Sequence, residues 1–334
     1  MIDHERFISR CITLGLNGLG TARPNPMVGC VIVHEGKIIG EGFTSPYGGS
    51  HAEVNAIESV KDKSLLKKST LYVTLEPCAH HGKTPPCADL IVRYGIPLVV
   101  IGCKDPNPEV SGKGIEKIKA SGGEVICDVL ESECREHHKR FLTFQEKRRP
   151  YIILKWAESE DGFIAPKNKS EQRPVWISNT YSRQLVHKWR AEEQAILVGT
   201  ETVIADNPKL DVRHWEGQNP TRIVLDLNNR LNDNYAIFDE GAKTIRVTSD
   251  MIDSSKPLAQ EISRNAVEAK ISSLIVEGGR KTLQTFIDEG LWDEARIFTG
   301  AMKINDGIQA PNINGRIKNE SMVEGDQLKI MLNG

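Results

Sequence analysis

The chain has 334 residues, enough for two domains, with 39% hydrophobic and 26% charged residues and a formal net charge of −2. That balance supplies no global basic field for nucleic acid, and no run of about 18 apolar residues is present to span a membrane. The start, Met1-Ile2-Asp3-His4-Glu5-Arg6, lacks the basic and apolar regions of a signal peptide. The cysteines, Cys11, Cys30, Cys78, Cys87, Cys103, Cys127 and Cys134, are odd in number and are expected as reduced thiols in a cytoplasmic protein.

Residues 3–19 carry Phe7, Ile8, Cys11, Ile12, Leu14 and Leu16 at three-and-four spacing and predict a helix. A Gly- and Pro-rich turn at 18–26 leads into two strands, 28–34 and 37–42, joined at Glu35-Gly36. Residues 51–60 have helical composition, which puts His51 and Glu53 at a helix N-terminus. Residues 69–75 read as a strand, 88–94 as a helix opened by Cys87, and 98–102 as a strand. A charged run closed by Pro150 marks a border between domains 1–146 and 147–334. Beyond it the pattern restarts. Strands are expected at 151–155, 195–199, 223–227, 244–248 and 273–276, with helices at 182–193 and 281–289. Repeated βα units predict a mostly parallel sheet. The tail beyond Gly300 is weakly patterned and receives no assignment.

The chemistry concentrates between His51 and Cys87. His51-Ala52-Glu53, Glu76-Pro77-Cys78 and Pro85-Pro86-Cys87 offer one imidazole and two thiolates as zinc ligands. Three protein ligands leave a tetrahedral position open, as in catalytic zinc sites. Two thiolates balance the charge of the ion, which lowers the pKa of a bound water toward neutrality. Glu53 is then placed to move a proton from that water to a ring nitrogen and the leaving amine. The His-x-Glu and Pro-Cys pattern is that of zinc nucleobase deaminases, although eight residues separate the two cysteines here. The competing readings are a closed structural zinc knuckle completed by a ligand such as His80 or His81, and unrelated core thiols at Cys78 and Cys87. Cys11, Cys30, Cys103, Cys127 and Cys134 read as small buried hydrophobes.

Pro24-Asn25-Pro26-Met27-Val28-Gly29, the His-Ala-Glu triplet, and Glu76-Pro77-Cys78-Ala79-His80-His81-Gly82-Lys83-Thr84-Pro85-Pro86-Cys87 resemble the deaminase domain of the bifunctional riboflavin-biosynthesis deaminase/reductases. The resemblance implies a cytidine-deaminase-like α/β domain with a mixed sheet. It also implies a diamino-pyrimidinone substrate carrying a ribosylamino 5-phosphate. His80, His81 and Lys83 would hold the phosphate, against the alternative of a solvated basic loop. Asn25 would bond the ring edge, against the alternative of a turn residue between prolines.

In the second half, Glu277-Gly278-Gly279-Arg280-Lys281-Thr282 follows a strand and opens a helix, where backbone amides approach a phosphate. No G-x-G-x-x-G is present. From these residues alone, a phosphorylated ligand is all that follows. Lys155-Trp156-Ala157, Ser159 to Ala165, Trp176-Ile177-Ser178, Arg190-Ala191-Glu192, Thr202 to Pro208 and Val276 to Gly279 are similar to the reductase domain of the same family. That domain is dihydrofolate-reductase-like and uses NADPH. By motif position, Ala157, Trp176, Thr202, Asp206, Gly279, Arg280, Lys281, Thr282, Leu283, Gln284 and Thr285 would line the cofactor site. Ser178, Arg190, Leu210, Arg213 and Glu277 would meet the substrate, the arginines as phosphate partners. Two departures stand out. Glu160 replaces the usual leucine of Ser-Leu-Asp-Gly. Pro174 falls where a substrate-binding serine is common, in a lengthened stretch before Trp176, and it donates no hydrogen bond.

The reading is a two-domain zinc- and NADPH-dependent enzyme acting on small phosphorylated pyrimidines, without nucleic-acid or membrane partners and compatible with a homo-oligomer. One alternative keeps the deaminase but makes the second domain impaired or ligand-binding only. Another is a nucleic-acid base editor, which the near-neutral charge disfavours. A third uses zinc as a folding clip.

Overall fold

Two sets of apolar strands, separated by the charged residues around Arg148, organise the chain. The computed structural model describes residues 3–79, 85–107, 110–169 and 171–334. It forms two units, Met1–Arg148 and Arg149–Gly334.

The first unit opens with α1 (His4–Gly15), whose N-terminus is capped by Asp3 accepting from the Arg6 N–H at 3.1 Å. Strands β1 (Gly29–His34) and β2 (Lys37–Phe43) form the expected hairpin. There follow α2 (Ala52–Ser59), β3 (Thr70–Leu75), α3 (Cys87–Tyr94), β4 (Leu98–Cys103), α4 (Lys113–Ala120), β5 (Glu124–Ile126), α5 (Glu131–His137) and α6 (Lys139–Lys147). The sheet order is β2-β1-β3-β4-β5. β1 is antiparallel to both neighbours, and β3, β4 and β5 run parallel. This is the mixed sheet the resemblance implies.

Backbone proximity fixes two of the helices. Side chains alternate across a strand, so Gly29 and Cys30 face opposite sides of the sheet, and Gly42, paired with Cys30, shares the second side. A Cβ on Gly29 would stand 1.8 Å from the Cys11 carbonyl oxygen of α1. A Cβ on Gly42 would stand 2.3 Å from the Ala56 nitrogen and 2.5 Å from the Ala52 oxygen of α2. Helices α1 and α2 therefore press on opposite faces at bare-backbone positions.

The second unit contains β6 (Tyr151–Ser159), β7 (Phe163–Pro166), α7 (Thr180–Glu192), β8 (Ala195–Gly199), α8 (Thr200–Asp206), β9 (Thr221–Leu225), β10 (Thr244–Val247), α9 (Leu258–Glu268), β11 (Ser273–Gly278), α10 (Arg280–Asp288), β12 (Glu294–Gly300), β13 (Gly307–Gln309), β14 (Arg316–Val323) and β15 (Asp326–Leu332). Its main sheet has the order β10-β9-β8-β11-β6-β12-β15-β14. The six strands from β10 to β12 are parallel, and the β14–β15 hairpin adds antiparallel strands at one edge. The apolar runs at 152–154, 195–198 and 274–276 are buried on both faces, as parallel strands require. Ile152, Leu154, Leu197 and Val276 pack with Leu283 and Phe286 of α10 and Ile262 of α9. Ile153, Ile196, Val198 and Ile275 pack with Val186 and Trp189 of α7 and Val203 of α8.

The expected elements are all present, with shifted ends. The helix expected over 3–19 stops at Gly15 and continues as one 3-10 turn, Leu16–Gly18. The tail left without assignment supplies β13, β14 and β15. Four of the five cysteines read as buried are so, whereas Cys127 is half-buried. No helix among the described residues is long and apolar enough to cross a membrane.

Substituting Gly42→Ala forces a methyl into the α2 backbone. We expect a loss of about 1–3 kcal/mol from the first unit, the range for overpacking a closed contact. Urea unfolding followed separately for each unit should show the first transition moving to lower denaturant and the second unchanged.

Candidate functional site

In the first unit, three elements bring three donor atoms together. His51 is the N-cap residue of α2, Cys78 lies three residues beyond the end of β3, and Cys87 is the first residue of α3. Their ligand atoms lie within 4.8 Å of one another, the one such group of three or more among the described residues. His51 Nδ1 stands 3.6 Å from Cys78 Sγ and 3.3 Å from Cys87 Sγ. Tetrahedral zinc with ordinary Zn–N and Zn–S bonds demands an N···S separation of about 3.6 Å. The one-nitrogen, two-sulfur donor set and its spacing thus fit zinc. The Cys87 N–H donates to Cys78 Sγ at 3.3 Å, and the Ala88 N–H to the Cys78 carbonyl at 3.1 Å, so α3 begins around the first cysteine. The side-chain hydrogen bond between the two thiols holds Cys78 down and, with burial, raises Cys87.

Glu53 sits in the first turn of α2, 4% exposed. Burial, followed by the Cys78 sulfur, pushes its carboxyl up to about 7, where a group both takes and gives protons near neutral pH. Asn25 lies in the turn before β1 and donates its backbone N–H to Ala22 at 3.0 Å. That turn is held by His137, whose Nε2 meets the Met27 carbonyl at 2.7 Å. His80, His81 and Lys83 lie outside the described residues.

In the second unit, one cavity of about 1700 Å3 collects every residue assigned to cofactor and substrate by motif position. From the cofactor set come Ala157 on β6, Trp176 before α7, Thr202 and Asp206 on α8, and Gly279 with Arg280, Lys281, Thr282, Leu283, Gln284 and Thr285 at the start of α10. From the substrate set come Ser178, Arg190, Leu210, Arg213 and Glu277. Thr202 Oγ1 accepts from the Gly279 N–H at 2.8 Å, which ties α8 to the turn before α10. Gly278 in that turn has φ +123°, open only to glycine.

A buried charge cluster lies at the cavity wall. Arg190 grips Glu277 with two hydrogen bonds, Nε to Oε1 at 3.1 Å and Nη2 to Oε2 at 2.8 Å. Lys155 Nζ lies 3.9 Å from the same carboxylate. Burial raises Glu277, but the Arg190 and Lys155 charges outweigh it and hold the carboxyl down at about 2. Burial also lowers Lys155, against the pull of Glu277. His187 is brought to about 4 by burial and then by the Arg190 and Arg213 charges, so it is neutral, and its Nδ1 accepts from the Arg213 N–H at 3.3 Å.

Comparison with known proteins follows this geometry closely. Residues 1–103 match the cytidine and deoxycytidylate deaminase zinc-binding region, and residues 150–307 match the RibD C-terminal domain. The riboflavin biosynthesis protein RibD of Aquifex aeolicus is 38% identical over 334 residues, covering 95% of this chain and 92% of that protein. RibD of Bacillus amyloliquefaciens is 36% identical, covering 92% and 87%. The chain belongs to the RibD family. A crystal structure from Thermotoga maritima, described as a diaminohydroxyphosphoribosylaminopyrimidine deaminase/5-amino-6-(5-phosphoribosylamino)uracil reductase, aligns over 99% of both chains with a TM-score of 0.89 and 39% identity. Acinetobacter baumannii RibD aligns over 99% of both with a TM-score of 0.88 and 30% identity. The chain is accordingly a bifunctional deaminase and reductase of riboflavin biosynthesis, with a zinc-binding deaminase domain and an NADPH-dependent, dihydrofolate-reductase-like domain.

Against the RibD pattern, the two departures fall in different places. Glu160 is 59% side-chain exposed and pairs with Lys303 at 3.7 Å, on the solvent side. Its neighbour Asp161 does the structural work of the motif, accepting from Ile304 and Asn305 N–H groups at 3.1 and 2.7 Å. Pro174 does line the cavity, as does Ser178. Among the lining residues that the sequence did not single out as site residues are Lys155, His187 and Lys169, the last paired with Asp206. A lysine inside the apolar strand at 151–156 was the available signal for the first.

Glu277 gives a pH test. Its folded-state value lies below the usual carboxyl range, so its stabilisation is full above about pH 4.5 and is lost as pH falls toward 2. Glu277→Gln should therefore be less stable than the parent at pH 7. Chemical denaturation should show that gap narrowing by about 2 kcal/mol between pH 5 and pH 3. A gap independent of pH would remove the carboxylate from the cluster's energetics.

Proposed function

We propose that the first unit deaminates 2,5-diamino-6-ribosylamino-4(3H)-pyrimidinone 5′-phosphate. We further propose that the second unit uses NADPH to reduce the ribosyl group of 5-amino-6-(5-phosphoribosylamino)uracil to a ribityl chain. The observation that carries the reading is the His51, Cys78 and Cys87 triangle at zinc spacing, with a buried carboxylate, Glu53, on the same helix turn. The two activities in the Thermotoga maritima protein's description support the substrate assignment.

In this reading His51, Cys78 and Cys87 hold zinc, whose chemistry is to lower the pKa of a water toward neutrality. Glu53 takes the proton of the attacking water and passes it to the ring nitrogen, and a further proton leaves with the amine as ammonia. Water adds at the amidine carbon as the C–N bond to the amine breaks, so the ring gains a carbonyl. Burial, the first cause of its raised carboxyl, suits Glu53 to moving protons in both directions. Asn25 meets the ring edge, and His80, His81 and Lys83 meet the phosphate.

In the second unit, NADPH supplies the hydride and the chain positions both partners. The Gly278-Gly279 turn and the first residues of α10 take the cofactor's phosphates, with Ala157, Trp176, Thr202 and Asp206 alongside. Arg190 is held by Glu277, so the more exposed Arg213, 42% side-chain exposed and paired with Asp211, is the better partner for the substrate phosphate. Ser178 offers a hydroxyl to the same cavity that Pro174 lines without one.

Glu53→Gln should abolish ammonia release, by about 10²-fold or more, while the protein still carries one zinc per chain. Full deamination by this variant would end the proton-carrier assignment. On the deaminated product, NADPH oxidation should proceed at the parent rate, whereas ammonia release by the parent without NADPH oxidation would show the second unit to be impaired.

A further inference from the structure

Glu76 has no place in the chemistry above, yet it is 4% exposed, two residues before a ligand. Its carboxylate accepts three backbone N–H groups. Oε2 accepts from Gly112 at 3.1 Å, and Oε1 from Gly114 at 3.2 Å and Ile115 at 3.4 Å. These are donors of the first turn of α4, which has no local side-chain cap. The Glu76 N–H itself donates to the Cys103 carbonyl at 3.0 Å, at the end of β4. The residue thus stitches together the segments that leave two adjacent parallel strands at their carboxyl ends, where open α/β sheets place their sites. The fit is close. A Cβ on Gly114 would stand 2.1 Å from the Pro77 carbonyl oxygen, so α4 rests directly on the peptide before Cys78.

We propose that Glu76 is a positioning residue for the zinc site, fixing Pro77 and hence Cys78 by anchoring them to the N-terminus of α4. It touches neither metal nor substrate. A carboxylate at a helix N-terminus is favoured by the free N–H groups and by the macrodipole, so the anchor is strong and directional. Groups that orient metal ligands typically change metal affinity by about 10–100-fold when removed. A glutamine keeps one acceptor and turns its amide donors toward a backbone N–H, whereas alanine removes all three bonds. The effect should therefore grow from Glu76→Gln to Glu76→Ala.

The proposal rests on the ligand reading, and the test separates the two. Zinc transfer from the full-length holoenzyme to an excess of chromogenic chelator is followed for the parent, Glu76→Gln, Glu76→Ala, Gly114→Ala and Cys78→Ala. We expect Glu76→Gln to release zinc about ten-fold faster than the parent. The rise in melting temperature on adding zinc should shrink with it, which a merely structural loss, shifting apo and holo forms alike, would not produce. Gly114→Ala should act in the same direction, since it displaces Pro77 without altering the carboxylate, and it serves if Glu76→Ala does not fold. NADPH-dependent reduction by the second unit provides the control for intact protein. Parent-like zinc release from folded Glu76→Gln and Gly114→Ala overturns the positioning role. Retention of zinc by Cys78→Ala overturns the ligand reading instead.

Discussion

Three donor atoms on three separate elements must meet within 4.8 Å, and most of the first unit answers that demand. His51 arrives at the head of α2, Cys87 at the head of α3, and Cys78 beyond the parallel strand β3. Both helices begin at the cluster, so their positive ends face the thiolates that a divalent cation needs. The closeness of α2 to β2, possible because position 42 has no side chain, sets where His51 and Glu53 stand. Packing and site are thus joined: a methyl group at position 42 would meet the backbone of the helix that carries Glu53.

The second unit is built round a different constraint, a carboxylate and two cations kept out of water. Burial alone makes such a group costly, and pairing with good geometry is what retains it. Arg190 supplies that geometry with two bonds from α7 to the end of β11. The same pairing changes how the arginine is read. As an isolated sequence position it is expected as a phosphate partner; in the fold three of its five N–H donors go to Glu277 and the Asp211 carbonyl, which leaves two for a ligand in the cavity that it lines.

The ligands and the two-domain architecture were legible because their signals are local. Cys87 follows two prolines and opens a helix, and apolar runs such as 195–198 announce buried parallel strands. What stayed hidden depends on distant partners. Helix α4 lacks a capping residue beside it, because its cap comes from Glu76, 36 positions earlier than Gly112. Strand β14 is exposed along nearly its whole length, so no apolar alternation betrays it, and pairing with β15 alone makes it a strand. The cavity residues Lys155, His187 and Lys169 come from three separate segments, a juxtaposition no linear spacing reveals.

The end of β11 has one more consequence. Glu277 bonds the buried arginine, and two residues later the Gly279 amide bonds Thr202. One anchor belongs to the proposed substrate side and the other to the proposed cofactor side, with a single glycine between them. The interval separating the two ligands is therefore graduated on the main chain itself. Glu277 and Gly279 share one strand end, so a shift of β11 along its axis would move both contacts together.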